Sequence, residues 1–159
     1  MDLSKLTTSD RLIVGGGIVY LISMFLKWFE FSEQGFSISA SGWDYFIGGI
    51  VPLILIAVMV AHVLITRFAA ETKLPDLPLP WSQVHLIAGA AAAAIVLLRL
   101  IIPAEIEFGG FDTGEDFDRA YGIIIALLAA LAVAAGGYLK YQGGEDAPAA
   151  GGGTGSAPF

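Results

Sequence analysis

Four long apolar stretches dominate the hydrophobic pattern of the chain, at residues 12–29, 45–66, 84–102 and 121–139. An α-helix rises about 1.5 Å per residue and a bilayer core is about 30 Å thick, so roughly 20 apolar residues cross it. Each stretch is close to that length. The pattern predicts an all-α membrane protein, a four-transmembrane-helix bundle whose first helix is too long for a cleaved signal peptide.

Composition agrees with a membrane protein. Hydrophobic residues make up 56% of the chain and charged residues 14%, whereas soluble domains are about 25% charged. The stretches leave no room for a second domain, so we predict one transmembrane domain over residues 1–141. The Gly-, Ala- and Pro-rich remainder, 142–159, is predicted to be a disordered cytoplasmic tail. Cysteine is absent, which excludes disulfides and thiolate metal ligands.

Orientation follows from the basic residues, because cytoplasmic loops retain Lys and Arg. One side of the predicted bundle carries five of the eight, namely Lys5, Arg11, Arg67, Lys73 and Lys140. Both termini are therefore predicted to be cytoplasmic. Nine of the fifteen acidic residues fall in the two opposite loops, 30–44 and 103–119. An acidic outer face argues against nucleic-acid binding.

The first outer segment has a strand pattern. Apolar and polar side chains alternate on both sides of Gly35, which predicts a β-hairpin over about 29–40. Residues 105–108 alternate in the same way and are predicted to add a third strand. We expect this small antiparallel β-cap to rest its aromatic face on the helix ends around Trp43, since a lone hairpin is marginally stable in water.

Small residues are concentrated in three of the spans, where they allow helix backbones to approach closely. They are Gly15, Gly16 and Gly17 in the first, residues 89–94 in the third, and Ala126, Ala130, Ala134, Gly136 and Gly137 in the fourth. Tight packing within the bundle is the favoured interpretation, and oligomer contacts are the alternative. Pro52 predicts a kink near the start of the second span.

Ionisable residues inside the spans are costly and are usually paired. Arg99 is expected to reach the outer head groups, near Asp44 or Glu105, and the alternative is a buried ion pair that marks a cation or proton path. His62 and His85 should lie at similar depth on antiparallel helices. An interhelical hydrogen bond or interface anchoring is favoured for them over metal ligation.

No catalytic, cofactor-binding or metal-binding motif is found in the sequence. The acidic run over 112–118 lacks the twelve-residue ligand order of a calcium loop. We therefore predict no enzymatic activity, no cofactor and no catalytic, cofactor-binding or metal-site residues.

Four short segments carry a resemblance: FLKWF at 25–29, SGWD at 41–44, RAYG at 119–122 and AGGYL at 135–139. These segments and their order along the spans make the chain resemble small four-pass membrane proteins of high-GC Gram-positive bacteria. The resemblance covers all of the chain but its tail. The resemblance implies a four-helix architecture in a bacterial plasma membrane, and it implies no activity.

By elimination, the sequence predicts a non-enzymatic structural or accessory subunit of a membrane assembly. Its expected partners are the lipid bilayer and other membrane protein subunits or further copies of itself. The alternative is a small oligomeric channel or transporter whose acidic outer vestibule attracts cations.

Overall fold

The protein is mostly helical. The computed structural model describes residues 3–69, 71–74, 76–102, 105–108, 111–116 and 118–143. Its four α-helices are α1 (Thr8–Ser23), α2 (Val51–Phe68), α3 (Trp81–Ile101) and α4 (Tyr121–Gly143). Within these described residues, three helical stretches are long and apolar enough to cross a membrane: Phe46–Phe68, Trp81–Ile101 and Tyr121–Gly143. Helix α1 has 16 residues and is shorter than these.

The predicted first helix, 12–29, is wrong at both ends. Helix α1 begins at Thr8, because Thr7 and Asp10 form a reciprocal capping box. It ends at Ser23, and from Lys27 the chain is a β-strand. The indole Nε1 of Trp28 donates to the Ser23 carbonyl oxygen over 2.8 Å, which satisfies one of the helix-terminal acceptors.

The other predicted helices lie where expected, with shifted ends. Helix α3 begins at Trp81 and not at 84, and α4 continues to Gly143 and not to 139. Residues 142 and 143 of the predicted disordered tail are therefore helical, and residues 144–159 lie outside the described part of the chain.

The irregularity expected at Pro52 takes the form of a π-helical turn over Phe46–Ile50, directly before α2. Its wide geometry is set by a backbone hydrogen bond of 3.1 Å from Ile50 N to the Tyr45 carbonyl. Pro52 lies in the first turn of α2, where its missing N–H breaks no hydrogen bond within the α-helix. The Tyr20 hydroxyl of α1 donates to the Gly49 carbonyl over 3.1 Å, so the turn is fixed to α1.

The predicted hairpin is confirmed. Strands β1 (Lys27–Glu33) and β2 (Phe36–Ser41) pair in antiparallel fashion. They are joined through Gln34 and Gly35, whose φ angles are 48° and 85°. Two consecutive positive φ angles are typical of a type I′ turn, which matches the twist of the flanking strands.

The third strand of this sheet is not the predicted one. Residues 105–108 form β3 (Glu105–Phe108), which pairs with β4 (Phe111–Asp116) in a separate two-stranded sheet. Strand β4 follows β3 closely in the sequence, so their pairing needs only a short loop, which costs little closure entropy. The free edge of β1 is instead covered by β5 (Asp118–Arg119). Arg119 also donates to the carbonyls of Leu100 and Ile101 at the end of α3, which fastens β5 to the bundle.

The predicted close packing through small residues is confirmed at two helix pairs, because α4 packs tightly against both α1 and α3. A Cβ atom added at Gly16 of α1 would lie 2.7 Å from a methyl carbon of Val133. One added at Gly89 of α3 would lie 2.9 Å from Cα of Ala134. Neither site has room for a side chain, so glycine sets the helix spacing there.

The exterior of the helices is apolar. Large exposed hydrophobic side chains are found on all four, including Ile18, Leu21 and Ile22 of α1, Ile54 and Val58 of α2, Ile87, Leu97 and Leu98 of α3, and Ile124, Leu128 and Leu131 of α4. Such a surface is abnormal for a soluble monomer and suits contact with lipid or with another apolar protein surface.

Candidate functional site: a buried ionic cluster

A carboxylate is buried where α1 begins and α4 ends, which we call the terminal end of the bundle. Asp10 of α1 is fully buried. Its Oδ1 atom lies 2.5 Å from Nζ of Lys140, and its Oδ2 atom lies 2.7 Å from Nε of Arg67. The three charged side chains come from α1, α4 and α2, and we call them the ionic cluster.

Local hydrogen bonds hold the Asp10 carboxylate at the start of α1. Oδ2 of Asp10 accepts the Thr7 backbone N–H at 3.0 Å, and the Thr7 hydroxyl accepts the Asp10 N–H at 3.2 Å. The carboxylate therefore sits in the first turn of a helix, where the helix dipole favours negative charge, and Lys140 sits in the last turn of α4, where it favours positive charge.

Burial decides how these charges behave. The Lys140 side chain is 1% exposed and the Arg67 side chain is 17% exposed. A buried ion that loses its partner pays a large desolvation penalty. Lys140 consequently depends on Asp10 far more than Arg67 does, because the Arg67 guanidinium lies near the protein surface.

Two histidines lie near the same end. Nε2 of His85 and Nδ1 of His62 are 2.8 Å apart, one donating and the other accepting. This confirms the predicted interhelical hydrogen bond and the similar depth of the two rings. Trp81 stacks on His62 with ring centroids 4.0 Å apart. Asp10 and Lys140 also lie near enough to act electrostatically on both histidines.

The five side chains, Asp10, His62, Arg67, His85 and Lys140, connect all four helices. Within the described ranges of the chain, no group of three or more His, Cys, Asp or Glu residues could hold a metal ion. Each of the five has a polar partner in the group. The arrangement is suited to holding helices together, since breaking the Asp10–Lys140 or the His62–His85 pair would take a partner from a buried polar group.

The expected pairing of Arg99 with Asp44 does not form. The Asp44 carboxylate instead accepts the Ser41 backbone N–H at 2.7 Å and the Ser41 hydroxyl at 3.1 Å, in a capping box whose N-cap residue is Ser41 at the start of a short 3₁₀ turn over Gly42–Asp44. Glu105, the other expected partner, has a side chain outside the described set. Arg99 lies over the rings of Tyr45 and Phe29, with Cζ to centroid distances of 4.1 and 5.2 Å.

The hairpin rests on different aromatic residues from those expected. Trp43 is 41% exposed and meets only Phe25 among the described aromatic contacts. Trp28 and Phe29 are fully buried instead, and both pack against Tyr45. Burial raises the pKa of the Tyr45 phenol, so this ring stays neutral beside Arg99 at physiological pH.

Asp10 is the functional residue that sequence reasoning missed. Lys140 and Arg67 were interpreted only as basic residues flanking the spans, because the orientation rule counts Lys and Arg and gives acidic residues little weight. One local signal was present. Thr7 and Asp10 have the spacing of a helix start, which places the carboxylate on α1 rather than in a loop.

Comparison with known proteins found no family model, no curated protein and no solved structure that matches this chain.

Proposed function

We propose that the protein is a non-enzymatic structural or accessory subunit of a membrane assembly. The observation that carries the proposal is the ionic cluster: the Asp10 carboxylate pairs with both Arg67 and Lys140 and so ties three helices together. A site devoted to chemistry keeps a reactive group accessible to substrate. Here Asp10 and Lys140 are enclosed, while the apolar exterior is available to lipid and to partner proteins.

The membrane placement we propose has four spans in a bacterial plasma membrane. Helix α1 is about 24 Å long at ~1.5 Å per residue, and its exposed face carries Ile18, Val19, Leu21 and Ile22. Met24, Phe25 and Leu26 follow α1 directly and extend its apolar length at the opposite end. With Arg67 and Lys140 at the terminal end, the positive-inside rule supports cytoplasmic termini.

Cysteine labelling tests this topology, and the natural chain contributes no background because it lacks cysteine. Ser37→Cys in the exposed β2 strand and Thr113→Cys should react with an impermeant maleimide in intact cells. Ser156→Cys should react only after the cells are permeabilised. The reverse pattern would invert the orientation, and labelling of all three in intact cells would show that α4 does not cross the membrane.

The accessory role is tested by purification in mild detergent, followed by mass spectrometry and mass measurement of the intact complex. We expect a different membrane protein to co-purify at fixed stoichiometry, and an unrelated four-helix bait of equal expression serves as control. Recovery only as a monomer, in detergents that preserve other membrane complexes, contradicts the proposal.

The second candidate is an oligomeric cation channel or transporter, favoured by the register of the β3–β4 sheet. Glu105 lies opposite Asp116, and Glu107 lies opposite Asp112. Like charges directly opposite each other destabilise a sheet unless cations are nearby. Reconstituted protein should then conduct cations, and Glu107→Gln with Asp112→Asn should lower that flux. Absence of cation flux in liposomes favours the accessory role.

A further inference from the structure

A cleft of about 540 Å³ opens at the sheet end of the bundle, the end opposite to the ionic cluster, between the π-helical turn and the last turns of α3. Its walls are mainly apolar and include Phe46, Ile47, Ile95 and Leu98. Its lining also includes the charged residues Asp44 and Arg99. We call this cleft the Arg99 groove.

Arg99 is held in place but is not neutralised. The Tyr45 and Phe29 rings support its guanidinium. Its aliphatic part lies against Gly48, where an added Cβ would be 2.8 Å from the Arg99 Cγ atom. Among the described side chains no carboxylate lies within ion-pair distance of Arg99, and its buried Nε has no hydrogen-bond partner there. A fixed guanidinium that lacks a carboxylate partner is suited to binding an anion.

The depth of Arg99 indicates where that anion comes from. Arg99 lies two residues before the end of α3, about 3 Å along the helix axis. In a membrane-spanning α3, this is the level at which hydrocarbon meets head groups. A lipid phosphate is present there at high local concentration, and the planar guanidinium matches phosphate oxygens in geometry. The apolar walls below suit an acyl chain.

Asp44 narrows the choice of lipid. Its Oδ2 atom is used by Ser41, and the residue is exposed at the groove. A carboxylate beside the phosphate site attracts a positively charged head group and repels an anionic one. A primary ammonium offers three N–H donors to that carboxylate, whereas a quaternary ammonium offers none.

We propose that the Arg99 groove binds one phospholipid with a zwitterionic, primary-amine head group of the phosphoethanolamine type. Arg99 binds the phosphate, Asp44 binds the ammonium, and one acyl chain lies against Phe46, Ile47 and Leu98. The lipid-binding inference rests on the proposed membrane location and is independent of the accessory role. Failure of the lipid-binding test and failure of the accessory-role test can therefore be distinguished.

The test is native mass spectrometry of the delipidated protein with phosphatidylethanolamine, phosphatidylglycerol or phosphatidylcholine of equal chain length. We expect one phosphatidylethanolamine per chain, bound more tightly than the other two lipids. Arg99→Gln should weaken binding of phosphatidylethanolamine by about tenfold or more, because a charge-assisted hydrogen bond is lost. Asp44→Asn should remove the preference over phosphatidylglycerol while phosphate binding persists.

Two further variants keep the test decisive. Lys27→Gln removes an exposed cation that is paired with Glu30 outside the groove, and binding should not change. Ile47→Trp fills the groove at a position that is 71% exposed, so it should block the lipid without unfolding the protein even if Arg99→Gln does unfold it. Binding that survives both Arg99→Gln and Ile47→Trp, or a wild-type preference for phosphatidylglycerol, overturns the proposal.

Discussion

Replacing Asp10 by Asn should be among the most damaging single changes in the protein. Asn has nearly the same size but no charge, so Lys140 would be left as a buried cation, with its side chain 1% exposed and its Asp10 partner lost. Breaking a buried ion pair by removing one partner costs about 3–5 kcal/mol. We expect about 3 kcal/mol, at the lower end, because Arg67 is 17% exposed and can turn toward water.

The measurement is the free energy of unfolding in mixed micelles with increasing SDS fraction. The double variant Asp10→Asn with Lys140→Met removes both charges and keeps a long side chain, so it should recover most of the lost stability. Lys73→Gln removes an exposed cation and should change stability by less than about 0.5 kcal/mol. The reasoning is refuted if Asp10→Asn costs no more than Lys73→Gln, or if the double variant is as unstable as the single one.

The same assay decides between charge and packing as the main source of stability. The sequence alone predicts that the small-residue surfaces dominate, with Ala93→Leu and Ala130→Leu each costing about 1–3 kcal/mol by overpacking. Both alanines are buried. Arg99→Gln should cost little on that view. If the ionic cluster is as important as its burial indicates, Asp10→Asn will equal or exceed both alanine variants.

Two smaller changes test local features. Gly137→Ala should destabilise the bundle by about 1–3 kcal/mol in thermal unfolding, because an added Cβ would collide with the His85 carbonyl oxygen. Gly15→Ala on α1 is the control, since nothing lies within 4 Å of an added Cβ there. It should be neutral or stabilising by up to about 1 kcal/mol. Trp28→Phe should cost about 1–3 kcal/mol, because it removes the indole hydrogen bond to the Ser23 carbonyl and shrinks a fully buried ring, and an unchanged melting temperature would show that this hydrogen bond is dispensable.

Much of the helical architecture could be predicted because long apolar runs report on the surrounding solvent. The hairpin could also be predicted, since the turn at Gln34 and Gly35 interrupts a clear alternation of apolar and polar residues. The change from helix to strand after Ser23 was not, because the residues on both sides of it are apolar. Hydropathy measures burial and does not distinguish two kinds of buried backbone.

The site could be predicted only in part. The two histidines lie on neighbouring antiparallel helices joined by a short loop, so similar depth followed from counting residues. Asp10 and Lys140 lie near opposite ends of the chain, and their meeting depends on α1 packing beside α4. No pattern local to either residue encodes that contact. The unpaired Nε of Arg99 could not be predicted either, because it depends on the Asp44 carboxylate bonding to Ser41 instead of Arg99.

The pairing of Asp10 with Lys140 also has a consequence for biosynthesis. Lys140 is synthesised only after Asp10 and all the intervening helices. Until α4 is inserted, α1 carries a carboxylate that lacks its most deeply buried counter-ion. A chain that stops before α4 can pair Asp10 only with Arg67, so it lacks the ion pair that joins α1 to α4. The ionic cluster is therefore complete only when α4 has been inserted.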